Sequence, residues 1–122
     1  GARARALTVV GGDLDTIMAG LACGEPSILA WRLLAPGADA FMTISDDMAA
    51  AAMRDLAAHK IAGGESGVAG LAGLRLAASD PTMRAALGLS GNSRVLLFGT
   101  EGATDPQVYR QIVGRSAEEV VS

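Results

Sequence analysis

Few side chains in this 122-residue sequence are equipped for chemistry by themselves. Lys60, Cys23 and His59 are each the single residue of their type. A lysine that forms a Schiff base needs a desolvated pocket to lower its pKa. Lys60 sits between His59 and Ile61 at the end of an expected helix and is read as a surface residue. Cys23 has no histidine placed beside it, so it reads as a small buried side chain rather than a nucleophile. One cysteine and one histidine do not make a zinc site. Asp13, Asp15 and Glu25 flank a short expected helix; as an acid/base set they compete with the commoner use of aspartate as a helix cap.

Two glycine-rich loops offer backbone chemistry instead. Gly63-Gly64-Glu65-Ser66-Gly67 precedes an expected helix, where free N–H groups and the helix dipole can hold an anion. Its spacing fits neither a Walker loop nor the dinucleotide fingerprint, and tight helix packing accounts for it as well. Gly99-Thr100-Glu101-Gly102 follows an apolar run. Its hydroxyl could meet a ligand atom while the glycines admit close backbone approach. A plain turn into the next helix is the competing reading.

The elements that would position these loops are legible from pattern. Residues 7–10, 40–44 and 93–98 are short apolar runs bounded by turn residues and read as strands. Between them, helices are expected through Ile17, Met18 and Leu21, from Ile28 to Leu34, after Ser45, and after Gly63-Gly64. Ser45 is an N-cap with Asp46 and Asp47 in the favourable first turn, and Ala49, Ala52, Met53 and Leu56 form one apolar face. Asp80-Pro81 and Asp105-Pro106 open two more helices, with Gly88 and Gly114 as stops. Residues 115–122 read as a loose tail. Strands alternating with helices predict an α/β fold, with residues 1–122 one unit around a mostly parallel sheet. Ligands in such folds bind beyond strand C-terminal ends.

Composition narrows the function classes. Half of the residues are hydrophobic but only 3% are aromatic, and the net charge is −3. Without a basic patch interleaved with aromatics, nucleic-acid binding has no support. No apolar run is long enough to span a membrane. Residues 1–5 lack the apolar region of a signal peptide, and a lone thiol fits a reducing cytoplasmic setting.

Several stretches resemble one family. The segment Gly12-Asp13-Leu14-Asp15-Thr16-Ile17-Met18-Ala19-Gly20-Leu21-Ala22-Cys23-Gly24-Glu25-Pro26-Ser27 is similar to a signature of the diaminopropionate ammonia-lyases. So are Gly64-Glu65-Ser66-Gly67, Leu87-Gly88-Leu89, Thr100-Glu101-Gly102, Thr104-Asp105-Pro106 and Tyr109-Arg110, in the same order. The resemblance implies the C-terminal part of a tryptophan-synthase-like large domain, a partial three-layer α/β/α stack. It implies pyridoxal phosphate (PLP) as cofactor in the complete enzyme and conversion of 2,3-diaminopropionate to pyruvate and ammonia.

In that family the Schiff-base lysine, the catalytic acids and the phosphate loop lie upstream, and none has a counterpart in this chain. The resemblance therefore assigns it no catalytic residue and no activity alone. It makes Thr100 the candidate hydroxyl near the pyridine nitrogen, with Glu65 and Ser66 in a loop near the cofactor. Gly99 and Ala103 stand where the family carries Ser and Asp. The partners implied are the missing N-terminal part of the same enzyme, further copies in a homo-oligomer, and an amino-acid substrate. The competing expectation is a non-catalytic interaction or assembly module derived from that fold.

Overall fold

The computed structural model describes residues 6–122; the opening residues, read above for a leader, lie outside them. In chain order it contains a single 3-10 turn (Ala19–Leu21) and six helices, α1 (Ile28–Gly37), α2 (Asp46–Ala58), α3 (Ala69–Ser79), α4 (Pro81–Ala86), α5 (Pro106–Val113) and α6 (Ala117–Val121).

The expected α/β fold, with its partial three-layer stack and mostly parallel sheet, is overturned. Among the described residues every regular element is helical and no strand forms. The physical reason is that a strand is defined by its ladder, not by its own residues. Among the described residues, 39–44 and 94–100 make no backbone–backbone hydrogen bond, and 7–10 make only one, from the Val10 amide to the Gly24 carbonyl at 2.8 Å. The apolar runs are present, but among the described residues no ladder forms along them.

Helix ends follow the sequence closely. Ser45 accepts from the Met48 amide at 3.3 Å, with Asp46 and Asp47 in the first turn of α2. Asp80 accepts from the Met83 amide at 2.8 Å, and Pro81 opens α4. Asp105 takes the Gln107 and Val108 amides and Pro106 opens α5, which Gly114 ends at φ 84°. That left-handed turn suits glycine. α1 is capped by Ser27 and runs past Pro36 to Gly37, rather than stopping at Leu34.

α2 is the centre of the packing. α3, α5 and α6 lie against it, and α4 lies against α3. Ala49, Ala52 and Met53 are fully buried and Ala57 nearly so, joined by Met18, Val68, Ala72, Tyr109 and Val120. The alanines of α2 let its neighbours approach closely, and the large volumes come from Met53 on α2 itself and, from outside it, chiefly from Tyr109. Arg54 ties α2 to the end of α5, its Nε donating to the Ile112 carbonyl at 2.9 Å. α1 packs against no other helix.

The segment expected as a loose tail is ordered. Ser116 and Glu119 form a reciprocal capping box on α6: the Glu119 amide donates to Ser116 Oγ at 3.2 Å and the Ser116 amide to Glu119 Oε2 at 2.6 Å. The backbone hydrogen bond at Ser116 holds the Glu119 carboxyl below its ordinary range, and Val120 is buried against the core. Sequence reading passed over this Ser-x-x-Glu pattern.

Tyr109 is fully buried and its hydroxyl has no hydrogen-bond partner among the described residues. Burial raises its pKa, partly opposed by the positive charge of Arg115. The ring is therefore the fully buried part of what α5 contributes to the core, with Ile112 and Val113 packed beside it. Tyr109→Ala should cost about 3–5 kcal/mol in a urea melt. Tyr109→Phe should be neutral to within about 1 kcal/mol or stabilising, because no bond is lost with the hydroxyl.

Candidate functional site

Three loops meet at one place. The first is held by α2: Thr16 Oγ1 donates to Asp46 Oδ1 at 2.5 Å, and the Ile17 amide donates to Asp46 Oδ2 at 3.1 Å. The Met18 amide donates back to Thr16 Oγ1 at 3.1 Å, and Met18 itself is buried. This clamp fixes the 3-10 turn, and the amide of Gly20 then donates to Ser66 Oγ at 3.0 Å. Asp13 and Asp15, expected as caps here, are exposed and cap nothing; Asp46, from the next helix, holds the turn instead.

The second and third loops are joined by Glu101. Its carbonyl accepts from the Gly64 amide at 3.0 Å, and its Oε1 accepts from the Ser66 amide at 3.2 Å. Loop 63–67 therefore does present an amide to an anion, that of Ser66 to the chain's own Glu101 carboxylate, while its Gly64 amide goes to the Glu101 backbone carbonyl. The glycines are there because Glu101 and Gly102 pass so close. A methyl group on Gly64 would overlap the Gly102 carbonyl oxygen and lie 2.7 Å from Glu101 Oε1. One on Gly20 would lie 2.8 Å from Glu101 Oε2 and 3.0 Å from Ser66 Oγ. One on Gly67 would meet the Glu101 backbone at 2.5 Å.

Glu65 and Ser66 thus lie in the joined loops, while Thr100 stands beside Glu101 with its side chain exposed. Glu65 is only 6% exposed, and its Oε2 has no hydrogen-bond partner among the described residues. A buried carboxylate oxygen left unpaired is costly, so this atom is suited to a donor from outside the chain. Glu101 and Gly20 are the members of the cluster that sequence reading did not single out. Glu101 lay inside the Thr100-Glu101-Gly102 motif, but its role depends on contacts 35 residues away.

Lys60 lies outside this cluster. It is exposed in a left-handed turn at φ 62°, with its Nζ donating to the Ser122 carbonyl at 3.4 Å. Cys23, expected as a buried side chain, is exposed. No group of three potential metal ligands occurs among the described residues, and none of their helices is long and apolar enough to cross a membrane.

Residues 1–101 match the family of pyridoxal-phosphate dependent enzymes. The chain belongs to this family. It is 42% identical over 112 residues to the diaminopropionate ammonia-lyase of Escherichia coli (strain K12), an alignment covering 85% of this chain and 28% of that protein. With the diaminopropionate ammonia-lyase of Salmonella typhimurium (strain LT2) it shares 40% identity over 121 residues, covering 88% of this chain and 30% of that protein. The chain therefore spans less than a third of the length of these relatives.

The family implies PLP, and the residues present suit only part of that cofactor. Glu65 Oε2 is free to accept a hydrogen bond and the Thr100 hydroxyl is accessible. Covalent anchorage is not provided, because Lys60 is exposed and apart from the loops. In loop 63–67 the Gly64 and Ser66 amides are already taken by Glu101, which leaves the loop fewer donors for a phosphate.

Gly64→Ala should destabilise the chain by about 1–3 kcal/mol, because backbone rather than a flexible side chain stands in the way. Gly91→Ala, where the added methyl meets nothing within 4 Å, should be neutral or slightly stabilising. Urea midpoints of the two variants measured side by side check the contrast.

Proposed function

We propose that this chain forms part of a PLP-dependent ammonia-lyase that converts 2,3-diaminopropionate to pyruvate and ammonia, and contributes cofactor-side loops rather than the covalent anchor. The observation that carries the proposal is the Gly20–Ser66–Glu101 junction, which draws together three of the stretches that resemble the ammonia-lyases. The 40–42% identity to relatives named for that activity supports the choice of reaction.

PLP, when bound, supplies the electron sink for the charge left at the substrate's Cα. The role of this chain's residues is then to orient and to accept hydrogen bonds. Thr100 would offer its hydroxyl to the pyridine nitrogen; a neutral partner of this kind does not hold that nitrogen protonated as a carboxylate would. The unpaired Glu65 oxygen would accept a hydrogen bond from the cofactor or from the substrate's ammonium group. Ser66 is a positioning residue, holding the Glu65 loop against Gly20 and Glu101. The Schiff-base lysine and the phosphate loop would come from elsewhere in the enzyme, so the chain alone is inactive.

Titration of the purified chain with PLP should give no saturable absorbance band, and borohydride should trap no adduct at Lys60. Supplying the portion of the E. coli relative outside the matched region should restore pyruvate formation from diaminopropionate. A specific, saturable adduct at Lys60, or complementation that yields no pyruvate, would contradict the proposal.

A further inference from the structure

The three joined loops carry charge of one sign. Residues 10–27, 61–74 and 95–109 hold six carboxylates and no lysine, arginine or histidine, so every cationic side chain of the protein lies outside them. Acidic composition alone makes no site, because exposed carboxylates are solvated. Glu65 differs from the rest. It is the one charged side chain buried among the described residues, at 6% exposure, and its Oε2 has no hydrogen-bond partner there. Neither ion pair found among those residues, Arg75–Asp55 or Arg110–Glu119, reaches it. The Glu101 carboxylate sits on the next amide along, that of Ser66, and adds negative charge to the same loop. A buried anion without a partner is costly, and a second anion in the same loop raises that cost. A cationic donor offsets both.

Space for a small group adjoins this point. A methyl group on Gly102 would meet nothing within 4 Å, and one on Gly99 only the Gly67 carbonyl oxygen at 3.8 Å. Thr100, between Gly99 and Glu101, is exposed on the same loop.

We infer that Glu65 selects the substrate by receiving an ammonium group carried on the substrate's β-carbon. This rests on the function proposed above, and it commits the Glu65 oxygen to the substrate rather than to the cofactor. The α-amine of an amino acid is the group that a PLP enzyme commits to its cofactor. A diamino acid keeps a second ammonium group, whereas alanine offers nothing at that position. With 2,3-diaminopropionate the buried oxygen gains a charge-assisted hydrogen bond; with alanine it stays unpaired. A site with a buried polar group rejects a ligand that leaves that group unpaired far more strongly than an apolar pocket rejects a missing methylene.

The test uses the full 122-residue chain with isotope-labelled glutamate carboxyls, titrated separately with 2,3-diaminopropionate, 1,2-diaminoethane and alanine. Binding is followed by NMR at the Glu65 carboxyl and the Ser66 amide. Both diamines should shift these signals saturably, at concentrations about tenfold lower than alanine requires. Glu65→Gln keeps the size of the side chain and should abolish the preference, whereas Glu25→Gln, at an exposed carboxylate, should behave as wild type. Glu65→Asp keeps the charge and should retain the preference at reduced affinity, which separates loss of charge from loss of fold. In the chain co-expressed with the portion of the E. coli relative outside the matched region, Glu65→Gln should raise KM for diaminopropionate about tenfold while leaving inhibition by alanine unchanged.

The inference is overturned if no titrant shifts the Glu65 signal saturably, if alanine does so as readily as the diamines, or if Glu65→Gln keeps the preference. A Glu65 signal that responds to the added E. coli portion and to no titrant would give the oxygen to that polypeptide, and overturns it too. Ammonium selection by Glu65 without pyruvate from the assembly would defeat the proposed reaction and leave this inference standing. Pyruvate formed with KM unchanged in Glu65→Gln would do the reverse.

Discussion

The carboxylate of Glu101 is the point on which the site depends. It takes the Ser66 amide through Oε1 while its own carbonyl takes the Gly64 amide, so one residue grips a glycine-rich loop from two sides. A charged acceptor makes a stronger hydrogen bond than a neutral one. The grip also explains why small residues stand at positions 20, 64 and 67, where a side chain would meet Glu101 or its neighbour Gly102. Ser66 extends the junction to Gly20, and Gly20 is placed by the Thr16–Asp46 clamp at the start of α2. A chain of short contacts thus runs from the central helix to the two loops that carry Glu65 and Thr100.

The same arrangement decides what the loops can bind. The Ser66 amide is engaged by the Glu101 carboxylate and the Gly64 amide by the Glu101 carbonyl, so these two donors of loop 63–67 make a structural joint. What it leaves over is one buried, unpaired oxygen on Glu65. In a PLP-dependent family, that suits a residue that accepts a hydrogen bond and not one that forms a covalent bond. The position of Lys60, exposed and turned to Ser122, fits the same division of roles.

Local signals in the sequence were readable and non-local ones were not. Ser45, Asp80-Pro81 and Asp105-Pro106 start helices as expected because capping involves residues two or three positions apart. Residues 40–44 and 93–98 have the composition of strands, but pairing requires a partner that the described chain does not supply. Asp13 and Asp15 carry the right side chain for a cap, yet Asp46, some thirty residues on, holds that turn. Glu101 and Tyr109 lie in stretches that resemble the family, but neither the junction made by one nor the core position of the other can be read from neighbouring residues. The family resemblance named Glu65, Ser66 and Thr100, and the structure puts the first two in the junction and the third beside it.

The most direct measurement of this account is amide hydrogen exchange at Ser66 in wild type and in Glu101→Ala, with the exposed Glu25→Ala as control. If Glu101 joins the loops, exchange at Ser66 rises on the order of tenfold or more in Glu101→Ala, and Gly64 and Gly20 follow, while the Glu25 variant matches wild type. Unchanged protection of Ser66 in Glu101→Ala would contradict the account, because the loops would then be held together by something other than that carboxylate.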